Sequence, residues 1–112
     1  MGVVHHNVII VTCMDGLDAI KLHSAAMDIF EGIAVQVTNV QVSPFNGYHT
    51  FMVGPDGSKE RWPDSDEGDE RRSKFREYLD DEYSGGVVEA VEVCYGDCAP
   101  VIVWRYGCGD GL

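Results

Sequence analysis

Positive charge is what this chain has least of: eight Lys and Arg residues stand against 19 Asp and Glu, for a net charge of −11. A surface of that sign repels nucleic-acid phosphates and anionic lipid headgroups, so no direct nucleic-acid or membrane partner is expected. A basic partner surface would be attracted instead. Long hydrophobic runs are missing too. The longest near the start, Val8–Val11, is far below the roughly 20 residues of a spanning helix. It is also too short for a secretory h-region, and His5, His6 and Asn7 precede it where Lys or Arg would be expected. A reducing cytoplasm is the compartment this pattern suggests.

Cysteine is sparse, with four residues at 13, 94, 98 and 108. A secreted disulfide scaffold would be denser in them, so free thiols are expected. Zinc ribbons separate paired cysteines by two residues, whereas three separate Cys94 from Cys98, and no matching second pair exists. No metal is therefore expected, the alternative being a site built from Cys94, Cys98 and Cys108. Other chemical signatures are missing as well. The run Gly107–Gly111 follows a strand pattern without a helix after it, so it lacks the N-terminus that captures phosphate. Neither a G-x-S-x-G elbow nor an H-E-x-x-H helix occurs. No cofactor is implied, an enzyme is not indicated, and among 19 acids no pair of carboxylates stands out.

What is present is an ordinary globular composition, 45% hydrophobic over 112 residues, enough for one core. A single domain over 1–112 is expected, with 107–112 fraying. Asn7–Cys13 (NVIIVTC) is continuously apolar and β-branched, the pattern of a strand buried on both faces and central in its sheet. Asp15 then caps a helix running to about Phe30. Leu17, Ile20, Met27 and Phe30 make its apolar stripe, flanked by Leu22, Ala26 and Ile29, and Gly32 stops it. Val35–Val42 alternates as a strand, but Val35 and Val37 fall on one parity and Val40 and Val42 on the other, which predicts a β-bulge near Thr38-Asn39.

Asn46-Gly47 signals a hairpin. The strand Tyr48–Val53 follows, then a turn at Gly54–Gly57 and a brief edge strand over Ser58–Trp62 that Pro63 ends. The acids of Asp64–Glu70 are explained by a helix start at Asp64 or Asp66, with Arg71, Arg72, Lys74 and Arg76 behind them. Phe75, Tyr78 and Leu79 share one face, Glu67 pairs with Arg71 and Asp69 with Arg72 or Ser73, and Ser84–Gly86 ends the helix. Val87–Tyr95 and Pro100–Tyr106 read as two last strands joined at Gly96-Asp97. The order is β-α-β-β-α-β plus a terminal strand: an α+β, ferredoxin-like antiparallel sheet with two helices on one face, a more open sheet being the alternative.

Candidate binding residues cluster in the sequence around the middle segment, Ser43–Asp66, with His5 or His6 expected nearby. Asn46, Tyr48, Asp56, Lys59, Glu60 and Trp62 are the polar and aromatic members. They would serve a small enzyme or nucleotide-binding domain if they met in one pocket. The competing reading is structural: Trp62 staples the loop onto the sheet, and His5-His6, pointing to opposite faces of an extended strand, cannot share a metal. His23, on the first helix, reads as a satisfied histidine at the core margin.

The runs Val4–Ile9, Ser43–Phe51 (SPFNGYHTF) and Pro55–Asp66 (PDGSKERWPDSD) resemble a small uncharacterised bacteriophage protein family. Its members are encoded in the early region of T-even-like phages near the DNA ligase gene, and also in prophages. The similarity extends over roughly residues 4 to 95. It implies a phage-derived protein acting in the bacterial cytoplasm and carries over no catalytic residue. An acidic protein that binds a host factor is the function expected on these grounds, with a homodimer through a sheet edge as a further expectation.

Overall fold

The apolar run of the N-terminal region does form the middle of a sheet. The computed structural model describes residues 4–59, 61–82, 88–98 and 100–106. In it the chain runs β1 (His6–Cys13), α1 (Gly16–Ile29), β2 (Gln41–Val42), β3 (His49–Val53), α2 (Pro63–Glu82), β4 (Val88–Tyr95) and β5 (Ile102–Tyr106). The five strands lie in the order β2-β3-β1-β4-β5, each antiparallel to its neighbours. The fold is thus α+β with a five-stranded antiparallel sheet and two helices. The predicted tail at 107–112 and helix stop at Ser84–Gly86 lie outside the described residues.

Residues directly opposed across antiparallel strands point to the same side. Ile9, Val11 and Cys13 of β1 oppose Val53, Phe51 and His49 of β3, and Glu92, Ala90 and Val88 of β4. Except for His49 these are all buried, and with Ala19, Leu22, Ala26 and Phe30 of α1 and Phe75 and Leu79 of α2 they make the core. Both helices lie over this side. The His23 ring meets Phe51 edge-on at 5.3 Å from α1, and Arg76 reaches Glu92 from α2.

Asp15 caps α1 as expected, its carboxylate accepting from the Leu17 N–H at 2.7 Å. The buried stripe is another one, however. Ala19, Leu22, Ala26 and Phe30 face the core, while Leu17, Ile20 and Met27 are 70%, 66% and 51% exposed. Steps of three and four keep a stripe on one face, whereas Leu17-Ile20-Met27 drifts outward before Phe30 is reached. The bare carbonyls at the end of α1 are satisfied from outside. Arg71 of α2 donates to the Ile29 carbonyl at 2.6 Å and to that of Glu31 at 3.2 Å.

The strand expected over Val35–Val42 is broken. Val37 bridges Val53, yet Gln41 pairs with Thr50, so three residues on this side face two on β3. That is the count of a bulge. Thr38 holds it: its N–H donates to the Met52 carbonyl and its Oγ1 accepts from the Met52 N–H, both at 2.8 Å. Only Gln41-Val42 remain as ladder. The Ser58–Trp62 strand likewise shrinks to a single bridge between Lys59 and Val4. Pro63 opens α2 rather than merely ending a strand, since a first-turn residue needs no N–H. The Glu67–Arg71 pair forms at 2.7 Å and Asp69 pairs with Arg72, as their spacing predicts.

Candidate functional site

The residues proposed for one pocket are divided between the two ends of the sheet. His49 opposes Cys13, at the end of β1, so the Asn46-Gly47 turn and Tyr48 lie at that end. Lys59 bridges Val4 beside the start of β1, which places His5, His6, Asp56, Lys59 and Trp62 at the other. Eight residues of strand separate the groups by about 25 Å. They do not form one binding site. Glu60 lies outside the described residues.

At the first end, Asn46 and Gly47 take φ of 64° and 63°, which is why this dipeptide makes the turn. Ser43 closes it, donating to the Tyr48 carbonyl through both its N–H (2.8 Å) and its hydroxyl (3.1 Å). Behind the turn, the start of α1 packs on His49: a Cβ on Gly16 would stand 3.3 Å from its Nε2. His49 Nδ1 is buried with no hydrogen-bond partner among the described residues. Cys13, directly opposite, is fully buried, and its thiol is pushed up from the ordinary 9.0 to about 11 by burial first and then by Asp18 and Asp15. A thiol so held is a packing group rather than a nucleophile.

At the second end, the His6 ring packs against Tyr95 at 5.1 Å. Gly96, at φ 129°, lets the next turn pass so close that a Cβ would stand 2.7 Å from the Val4 carbonyl oxygen. Asp56 is spent on its own loop, accepting from the Ser58 N–H and hydroxyl at 2.9 and 2.8 Å. Lys59 Nζ sits 5.8 Å from the Trp62 ring centroid. Trp62 is 47% exposed, so it does not staple the loop into the core. Its carbonyl instead receives the Ser65 and Asp66 N–H groups at the start of α2, which fixes the backbone there and leaves the ring outside. His23 behaves as a core-margin residue, its Nε2 2.9 Å from the Thr38 carbonyl.

Among the described residues no group of three His, Cys, Asp or Glu is placed to hold a metal ion, and no helix is long and apolar enough to cross a membrane. Cys98 is exposed at the β4–β5 turn, Cys94 is half-buried in β4, and Cys108 lies outside the described residues. Two other surfaces stand out. One is the outer side of α2. Its arginines turn inward: Arg71 to the end of α1, Arg72 into a buried position, and Arg76 to buried Glu92 with its guanidinium over Trp104. Asp64, Asp66, Asp69, Glu70, Glu77, Asp80 and Asp81 stay exposed.

The second surface is the sheet side that the helices leave open. It carries His6, Val8, Ile10 and Thr12 of β1, Thr50 and Met52 of β3, Glu89, Val91, Val93 and Tyr95 of β4, and Val103 and Arg105 of β5, Val8 alone of these being buried. A shallow groove of about 270 Å³ runs across it, lined by Ile10, Thr12, Glu89, Ala90, Val91 and Arg105. None of these lining residues was singled out by motif. The signal was present as parity, because β1 is apolar at even positions as well as odd, which a half-solvated strand does not require. No family model matches the chain, and neither a curated protein nor a solved structure matches it.

Proposed function

We propose that this chain is an interaction protein of phage or prophage origin that binds a basic surface of a host factor in the bacterial cytoplasm, on a ferredoxin-like scaffold. The scaffold reading is supported by the order β2-β3-β1-β4, with a helix after β1 and another after β3 and β5 added outside β4. The origin rests on the resemblance of the three runs quoted above. The binding mode rests on one observation: α2 spends its arginines on internal partners and turns its acids outward. The outer side of α2 is thereby predominantly acidic, its exposed Lys74 being paired with Glu70 at 3.5 Å, and in a chain of net charge −11 it can steer and hold a basic partner.

The test is recovery of a stoichiometric host partner from lysate at about 50 mM and about 300 mM salt, where screening differs more than twofold in length. It is run with the native chain and with a variant carrying Glu77→Gln, Asp80→Asn and Asp81→Asn. These exposed carboxylates have no ion-pair partner among the described residues, so the variant should melt as the native chain does. The reading expects a basic partner lost both at the higher salt and in the variant. Recovery unchanged by either, or no stoichiometric partner at low salt, overturns it.

A further inference from the structure

We propose that the open side of the sheet is the interface of a homodimer, in which a second copy of this chain lies face to face on the first. Antiparallel sheets with one solvated side alternate apolar-in with polar-out. Here the solvated side is apolar across four strands: Ile10, Met52, Val91, Val93, Tyr95 and Val103, with Met52, Tyr95 and Val103 37%, 41% and 52% exposed. On this side of β1, Val8 is buried at 8% exposed, while Ile10 and Thr12 further along the strand line the open groove. The missing cover is a layer, not a ligand, because the groove across this side is shallow and spans three strands.

Charge identifies the occupant. In a chain of net charge −11, the described residues of β1, β3, β4 and β5 place one acid and one permanent base on this side, Glu89 and Arg105, which line the same groove, with His6 beside Tyr95 and Lys59 opposite Val4 toward its far end. Neither Glu89 nor Arg105 makes an ion pair among the described residues. They stand diagonally, since Arg105 opposes Val91 and Glu89 lies two residues along β4. A two-fold axis lying between two stacked sheets and running midway between these residues sets each Glu89 against the other copy's Arg105. The patch is thus self-complementary, as an isologous interface must be. A basic partner would find no net charge to read there. Stacking this way also puts the acidic α2 layers on the outside, as far apart as two copies allow. The extent is that of a modest interface: four strands of five to eight residues project roughly 400 Å², about half the roughly 800 Å² per partner of a standard one.

Sedimentation equilibrium of the full chain between about 1 and about 100 µM, where interfaces of this class associate, reads the outcome directly. A dimer of twice 12.3 kDa is expected. Glu89→Arg alone and Arg105→Glu alone each press like charges together twice across the axis and should weaken the dimer by about tenfold or more. The double exchange, Glu89→Arg with Arg105→Glu, should restore it. Both side chains are exposed, so circular dichroism and melting should stay native in all three, which separates loss of the dimer from loss of the fold. A monomer throughout the range overturns the proposal. So does a dimer indifferent to both single exchanges, above all one dissolved instead by Val103→Pro at the β5 edge or by Ile20→Lys on the exposed stripe of α1.

Discussion

The two sides of the central strand are made of nearly the same side chains and meet opposite fates. On one side Ile9, Val11 and Cys13 are sealed under both helices; on the other Val8 is still buried, but Ile10 and Thr12 line an open groove. The difference lies in what the helices supply, not in what the strand offers. Phe30 and Phe75 meet edge-on over the covered side at 6.0 Å, and Leu22, Ala26 and Leu79 fill in around them. The covered side even accepts an acid. Glu92 is buried because Arg76 donates to it at 2.9 Å while stacking its guanidinium over Trp104. Burial in this sheet is therefore decided by the partner layer, and hydrophobicity read along a strand states a demand that the fold need not meet within one copy.

The sharpest way to break the comparison is to truncate neighbours that point to opposite sides. Phe51, 1% exposed, faces the core, and Met52, 37% exposed, faces out. Phe51→Ala should cost about 3–5 kcal/mol of unfolding free energy, through lost burial and the cavity left behind. Met52→Ala should cost below about 1 kcal/mol in the monomer. Urea unfolding at a concentration where the chain is monomeric measures both, and equal losses would mean the two sides do not differ as described.

A smaller effect tests how the covered side tolerates charge. Arg76→Met leaves the Glu92 carboxylate, its side chain 3% exposed, without the guanidinium that offsets its burial. A loss of about 2–3 kcal/mol is expected, toward the low end for a broken buried pair because Arg76 itself is partly solvated. Adding Glu92→Met should recover most of it, since the cost lies in the stranded carboxylate rather than in the missing attraction. A double variant as unstable as the single one would assign the loss to Arg76's packing on Trp104 instead.

Much of this fold could be read from residues. Asp15 and the acids before Arg71 marked both helix starts, and the change of parity between Val37 and Val40 foretold the bulge that Thr38 now holds. Less legible was which stripe of α1 turns inward, because Leu17, Ile20 and Met27 are as apolar as Leu22 and Ala26, and only the position of the sheet chooses between them. The candidate site was misread for a related reason. Asn46 and Trp62 are 16 residues apart in the chain, but β3 lies between them and carries the chain from one end of the sheet to the other. Polar turns on either side of a strand are close in sequence and far apart in space. The open side escaped motif reading altogether, since it is built of single residues from four strands, and only pairing brings these together.

A last effect, which appears only in alkali, contrasts the sealed side with the exposed β4–β5 turn through their thiols. Cys13 is buried on the covered side and Cys98 is exposed at the β4–β5 turn. Burial, then Asp18 and Asp15, push the Cys13 thiol from 9.0 to about 11. An acid whose pKa rises on folding favours the folded state while it stays protonated. This contribution is fully present below about pH 9 and is lost as the pH climbs through about 11, because the unfolded chain releases its proton first. The native chain should therefore lose more stability between about pH 8 and about pH 11 than Cys13→Ala does, both measured by urea unfolding. At about pH 8, iodoacetamide should modify Cys98 in the folded chain and reach Cys13 only in denaturant, since the thiolate is the reacting species and the covered side withholds both proton loss and access. Modification of Cys13 as fast as Cys98 in the native chain would show that the helices do not seal that side.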